Sequence, residues 1–279
     1  MSNPKIFFVV GAQKTGTTAL FDYLTSYEEI DVPNRKELHE LNKQHPISKA
    51  EYLKELGVDE GMTGDFSPSY LYSEYAAKNI FNYFPETKII IVLRSPMSRA
   101  YSNMVHSVRI GQEKSINLNS LISGEKKRLE KNALGHYLSK GFYFDQVKRY
   151  LDLFGAENIL IIKYEKFKIE PQQTLKAITG FLQIPFDERI KITKRNTGHV
   201  ATNEIARFFV RSYGRLQRNG VYINRMLPNK ILQKAKKILL KKKDAPSRSW
   251  FKEQNRLIFM EDISKLEKLT NTSFSEWYE

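Results

Sequence analysis

The chain contains no cysteine, which excludes disulfide scaffolds, thiolate nucleophiles and thiolate-held zinc together. Its five histidines are scattered without the spacing of metal ligands, so the expected site holds no metal. Long apolar runs are missing as well. The segment Ile6-Phe7-Phe8-Val9-Val10 is too short for a signal core or a membrane span, and a soluble protein is expected. Acidic residues are in deficit: 31 Asp and Glu against 45 Lys and Arg leave a net charge of +14 over 279 residues. Such a field attracts phosphate, sulfate, nucleic acid or acidic glycans. Apolar residues are not lacking, at 41% of the chain with 12% aromatic, which excludes disorder and supports one substantial domain with its own core.

Three short, unbroken apolar runs read as strands buried on both faces of a parallel sheet: Ile6 to Val10, Lys88 to Leu93 and Ile159 to Ile162. The first is followed by a glycine loop and a helix from Thr18. The second is closed by Arg94-Ser95-Pro96, with Pro96 in the first turn of a helix reaching about Val108. The third follows a periodic helix from Phe142 to Phe154 and precedes one opened by Pro171. Strands alternating with helices predict a single α/β domain, residues 1–279, with a central parallel sheet flanked by helices, similar to the P-loop NTPases. Surface excursions are expected at 112–136 and 215–248. Residues 230–243 carry seven lysines and read as a surface helix, with peripheral contact to an anionic membrane as the sharper alternative.

Gly11-Ala12-Gln13-Lys14-Thr15-Gly16-Thr17-Thr18 lies where loop N–H groups and a helix N-terminus converge, the arrangement that cradles a phosphate. Its spacing approaches that of the nucleotide-binding loop G-x-x-x-x-G-K-[ST]. The position of the usual lysine is taken by Thr17, and the loop lysine is Lys14. An ATPase also needs an Asp at a neighbouring strand end to hold magnesium. Here that strand delivers Arg94, which binds an anion directly through forked hydrogen bonds.

Gly11 to Leu20 resembles the loop of the sulfotransferases that use 3′-phosphoadenosine 5′-phosphosulfate (PAPS). Leu93 to Ser102 resembles their second motif, R-[DNS]-P-x-x-R-x-x-S. The resemblance implies PAPS as the sulfuryl donor, adenosine 3′,5′-bisphosphate (PAP) as its product and no metal. It assigns Lys14, Thr15, Gly16, Thr17 and Thr18 to the 5′-phosphosulfate, with Lys14 also stabilising the leaving group, and Arg94 and Ser102 to the 3′-phosphate. Arg99 reads as structural. Lys36-Glu37-Leu38-His39, expected where the second strand of the sheet ends, resembles the K-E-x-H segment of the glycan-modifying branch, which makes Glu37 the general base and His39 the alternative base. Aromatics usual in that branch are replaced by Glu40 and Leu41. Asp65 to Tyr70 resembles the acceptor-lining E-K-S-P-x-Y segment, with Phe66 in place of its basic residue. The likeness continues through Gly141-Phe142-Tyr143, Lys163 to Phe167, Phe181-Leu182 and a last helix finishing near Ser275-Glu276-Trp277. Tyr164 is expected near the adenine or in the core. Thr193 to Gly198 is expected to close over the donor, with Lys194 or Arg195 at the 3′-phosphate.

The resulting expectation is metal-independent, in-line sulfuryl transfer to a hydroxyl, on a carbohydrate or another acceptor, with no nucleic-acid partner. In the absence of an N-terminal anchor a cytoplasmic bacterial enzyme is expected. Two rivals stand beside it: a P-loop kinase or NTPase, and a non-catalytic binder of polyanions using the basic surface.

Overall fold

The computed structural model describes residues 4–57, 61–110, 112–113, 115–125, 136–190, 199–201, 240–242 and 245–279, with 199–201 and 240–242 described by their backbone alone. Strands β1 (Lys5–Gly11), β2 (Met62–Asp65), β3 (Lys88–Leu93) and β4 (Ile159–Lys163) form one parallel sheet in the order β2-β1-β3-β4. The helices are α1 (Thr17–Leu24), α2 (Lys49–Leu56), α3 (Ala76–Tyr83), α4 (Pro96–Arg109), α5 (Leu118–Ser123), α6 (Phe144–Phe154), α7 (Tyr164–Ile169), α8 (Pro171–Leu182) and α9 (Arg248–Thr270). The expected α/β architecture with a helix-flanked parallel sheet is thus observed.

Alternation along β1 explains its unbroken apolar sequence. Ile6, Phe8 and Val10 enter one core with Ile89, Ile91 and Leu93 under α2, α3, α4, α6 and α9. Phe7 and Val9 enter another with Ile90 and Val92 under α1, α7 and α8. Neither face of these strands meets water, so neither needs polar residues. From β1 the chain crosses to β2 on one side, while β3 lies on the other. The carboxyl ends of β1 and β3 therefore border the point where strand order reverses, the usual place for a ligand in an open α/β sheet.

Three expectations need correction. The segment around Glu37 follows no strand: β2 is Met62–Asp65, and residue 31 makes only an isolated bridge to Thr63. The buried positions of β2 are Thr63, Gly64 and Asp65, so it carries no apolar signature. The last helix ends at Thr270, where Asn271 turns left-handed (φ 47°), and a separate 3-10 turn forms Ser275–Trp277. Leu240–Lys242 is a strand, β6, antiparallel to β5 (His199–Ala201), rather than part of a lysine-rich helix. Residues 230–239 and 243 of that segment lie outside the described residues. So do Thr193 to Gly198, with Lys194 and Arg195, and most of the excursion at 215–248. Among the described residues no helix is long and apolar enough to cross a membrane.

Candidate active site

The loop after β1 is anchored before it turns. Ala12 N–H donates to the Val92 carbonyl of β3 (2.7 Å), and Thr15, fully buried, donates its Oγ1–H back to the Ala12 carbonyl (2.6 Å). A Cβ on Gly11 would lie 2.5 Å from Leu71 Cβ, so only glycine fits there. Lys14 (φ 72°) and Gly16 (φ 84°) are both left-handed, and alternating the backbone sign in this way makes a concave nest. Among the described residues, the N–H groups of Lys14, Thr15, Gly16, Thr17 and Thr18 donate to no protein acceptor. Five consecutive free donors at the start of α1 fit an anion. Because the Thr15 hydroxyl is spent within the loop, its contribution to that nest is its main-chain N–H.

Arg94, at the end of β3, closes the nest. Its Nη1 donates to the Lys14 carbonyl (3.1 Å), and the guanidinium lies 4.7 Å from the centre of the Tyr164 ring. The turn that carries it is held by three side chains. Tyr143 donates its hydroxyl to the Arg94 carbonyl (2.9 Å). Ser95 N–H donates to Glu165 Oε1 (3.1 Å), whose other oxygen accepts from Trp277 Nε1 (3.3 Å). Asn255, fully buried on α9, accepts from Met97 N–H (2.9 Å) and donates to Ser95 Oγ (2.7 Å) and the Trp277 carbonyl (2.8 Å). Arg99 faces inward, fully buried, and donates to the Tyr137 carbonyl; its role is structural.

Lys36 joins the nest to the segment beyond it. Its Nζ reaches Thr18 Oγ1 (3.2 Å) and Glu37 Oε1 (2.6 Å). Glu37 Oε2 lies 3.2 Å from His39 Nε2, and His39 Nδ1 lies 2.9 Å from Ser69 Oγ. Ser69 Oγ accepts from Asn42 Nδ2 (2.8 Å), leaving its own proton for His39 Nδ1. A carboxylate only accepts, so His39 Nε2 carries a proton and donates it to Glu37. Burial opposes ionisation of Glu37, but the hydrogen bonds from His39 and Lys36, with the charge of Lys36, outweigh it and hold the carboxyl below its ordinary value.

A buried carboxylate fixes this segment. Asp65, fully buried, accepts from Ser67 Oγ (2.6 Å), Tyr52 OH (2.7 Å) and Tyr70 OH (2.9 Å). With their protons committed, the Ser67 and Tyr70 oxygens accept from the N–H groups of His39 (3.2 Å) and Leu41 (3.4 Å). Phe66 N–H adds a bond to the Lys36 carbonyl (3.2 Å). The Phe66 side chain is fully buried against Phe7 and Phe21, so it supplies a core contact where a cation stands in the resembling segment. Asp65→Asn removes the three-way acceptor and leaves a buried donor in its place. The expected cost is about 1–3 kcal/mol of stability by urea unfolding, with turnover falling alongside; an unchanged midpoint would show that the network does not bear on the fold.

Two residues at this site were not singled out in the sequence. His106 and Arg109 lie one and two turns beyond Ser102 on α4, and Arg109 Nη2 lies 3.0 Å from His106 Nδ1. The signal available was the i, i+4 spacing from Ser102 to His106 on one helix face. Burial first, then the charges of Lys14 and Arg109, bring His106 down to about 4, so it is neutral at pH 7. Lys14 is brought down to about 8 by burial first, then by Arg109 and Arg94. Lys14, Arg94, Thr18 and Glu37 are therefore brought together, whereas no contact among the described residues ties Ser102 to them. Among the described residues no cluster of His, Asp and Glu has the form of a metal site.

A parallel sheet with an anion nest after its central strand and an arginine after the next defines an α/β protein of P-loop-like type. A family model described as the sulfotransferase domain matches residues 4–203, and the chain belongs to that family. It is 28% identical over 197 residues to the bifunctional heparan sulfate N-deacetylase/N-sulfotransferase 4 of Mus musculus, a match covering 64% of this chain and 22% of that protein. The corresponding protein 3 of Homo sapiens gives 28% identity over 196 residues, with 64% and 22% covered. The chain therefore spans about a fifth of the length of these relatives. Among solved structures, a sulfotransferase from Alicyclobacillus acidocaldarius superimposes with a TM-score of 0.72 at 23% identity, covering 100% of both chains, which establishes the shared fold.

Proposed function

We propose that the protein transfers a sulfuryl group from PAPS to an acceptor on a carbohydrate, with Glu37 as the general base and without a metal. The observation that carries this reading is the continuous line from the nest through Thr18 and Lys36 to Glu37 and His39. It places a base next to an anion cradle that has no other evident use for one.

The five free N–H groups and Lys14 suit the 5′-phosphosulfate, and Arg94, stacked on Tyr164, suits the 3′-phosphate with Ser102. The donor supplies an activated sulfuryl group: an S–O bond to the acceptor forms as the bond to the 5′-phosphate oxygen breaks. Glu37 takes the acceptor proton, for which one of its present partners, Lys36 or His39, must release an oxygen. Lys14 neutralises the charge that develops on the departing phosphate. His39 orients the carboxylate from one side and Ser69 orients His39 from the other.

The acceptor is a sugar hydroxyl in this reading, favoured by the Lys-Glu-x-His segment and the +14 charge. A sugar amine is a second reading, favoured by the N-sulfotransferase names of the relatives. Either loses one proton to the same base. The chain's own sulfated products, resolved by mass spectrometry after incubation with a panel of O- and N-unsubstituted oligosaccharides, separate the two.

The experiment that tests the nucleotide assignment is a thermal shift. PAP at 100 times its dissociation constant is expected to stabilise the protein by about 2.7 kcal/mol, with little response to Mg-ATP. The opposite preference would restore the kinase reading, and a response to neither would leave a polyanion binder.

A further inference from the structure

Gln13 immediately precedes Lys14 and the nest, and a second lysine reaches it. Lys140, in the 3-10 turn Ser139–Gly141 ahead of α6, donates from Nζ to Gln13 Oε1 (3.1 Å). It is only 6% exposed, and among the described residues no carboxylate lies within ion-pair distance of it. Its other contact is the face of Tyr72, 5.7 Å from the ring centre. Burial first, then the charge of Arg99, brings Lys140 down to about 7 against the pull of Glu125. The hydrogen-bond acceptor of Lys140 among the described residues is Gln13 Oε1, in the residue next to the anion nest.

The chemistry of the contact also fixes the glutamine. Lys140 Nζ donates to Oε1, so Oε1 is the atom turned toward Lys140 and Nε2 is turned away. That Nε2 donates to no acceptor among the described residues. Gln13 therefore keeps an amide donor without a protein acceptor in the residue next to Lys14. We propose that Gln13, held in this orientation by Lys140, donates from Nε2 to a non-bridging oxygen of the sulfuryl group under transfer, with Lys140 as its positioning residue. This rests on the sulfuryl-transfer reading given above.

PAP and PAPS differ by the sulfuryl group alone, so a comparison of their affinities isolates the contact and needs no acceptor. Gln13→Met removes the donor without adding a charge beside the nest; Lys140→Met removes the constraint. By isothermal titration calorimetry both variants are expected to bind PAP within about threefold of the unmodified protein while losing about tenfold or more for PAPS, a charge-assisted hydrogen bond's worth. Equal weakening of both nucleotides, or PAPS binding unchanged, would overturn the proposal. Should Lys140→Met fail to fold, Gln13→Met decides alone, because it adds no charge beside the nest and its PAP affinity reports whether the nest is intact. Failure of the unmodified protein to bind either nucleotide would count against the sulfotransferase reading itself.

Discussion

Replacing Glu37 by glutamine is expected to lower turnover by about 10²- to 10⁴-fold, the usual worth of a positioned general base, while PAP affinity stays within about threefold. The two effects separate because of how the carboxylate is held. One oxygen meets Lys36 Nζ at 2.6 Å and the other meets His39 Nε2 at 3.2 Å. An amide in its place offers one acceptor atom and presents N–H bonds to whichever donor faces its nitrogen. Lys36 keeps its bond to Thr18 Oγ1, so the nest retains its shape. The pH profile supplies an independent readout. Since the Glu37 carboxyl is held below its ordinary value, activity should persist on acidification until pH falls through that lowered value, and this acidic limb should vanish in the variant. Full activity in Glu37→Gln, together with its loss in His39→Ala, would transfer the role of base to His39.

Arg94→Ala is expected to weaken PAP binding by about 10- to 100-fold in calorimetry, equivalent to the 1.5–3 kcal/mol, roughly, of a hydrogen bond to a charged group. Arg94→Lys should recover little of this, because a single ammonium lacks the planar fork and the stacking surface that lies on Tyr164 at 4.7 Å. Part of the loss arises in the loop, where Arg94 also restrains the Lys14 carbonyl at 3.1 Å. Titration with adenosine 5′-monophosphate, which lacks the 3′-phosphate, apportions the two: the variant and the unmodified protein should then differ by much less. Equal losses for both nucleotides would make Arg94 a loop restraint only.

The residues at the strand ends were legible because parallel strands with helices on both faces write themselves as continuous apolar runs, with Arg94 directly after β3 and Lys14 three residues after β1. Lys14 and Arg94 inherit their placement from β1 and β3. Glu37 and His39 were legible as chemistry but not as position. Their segment is irregular, stitched by hydroxyls to Asp65, Ser67 and Tyr70, and hydrogen bonds between segments almost 30 residues apart leave no periodicity. Strand β2 escaped for a related reason, since its interior positions are Thr63, Gly64 and Asp65. His106 and Arg109 belong to a helix that was read correctly, and what was missed is which face of it the cleft uses. Nothing local to Asn255 announces that its amide serves a turn 160 residues earlier.

That last connection orders events during synthesis. As the polypeptide leaves the ribosome, the glycine loop can settle against β3 once residues through Val92 have emerged, for its anchor is the Val92 carbonyl. The neighbouring arginine has to wait: two of the bonds that immobilise its turn come from Asn255, and the glutamate supporting Ser95 is itself braced by Trp277. A translation intermediate halted before those residues would carry the glycine loop on its anchor while the turn of Arg94 still lacked the bonds from Asn255 and the brace from Trp277.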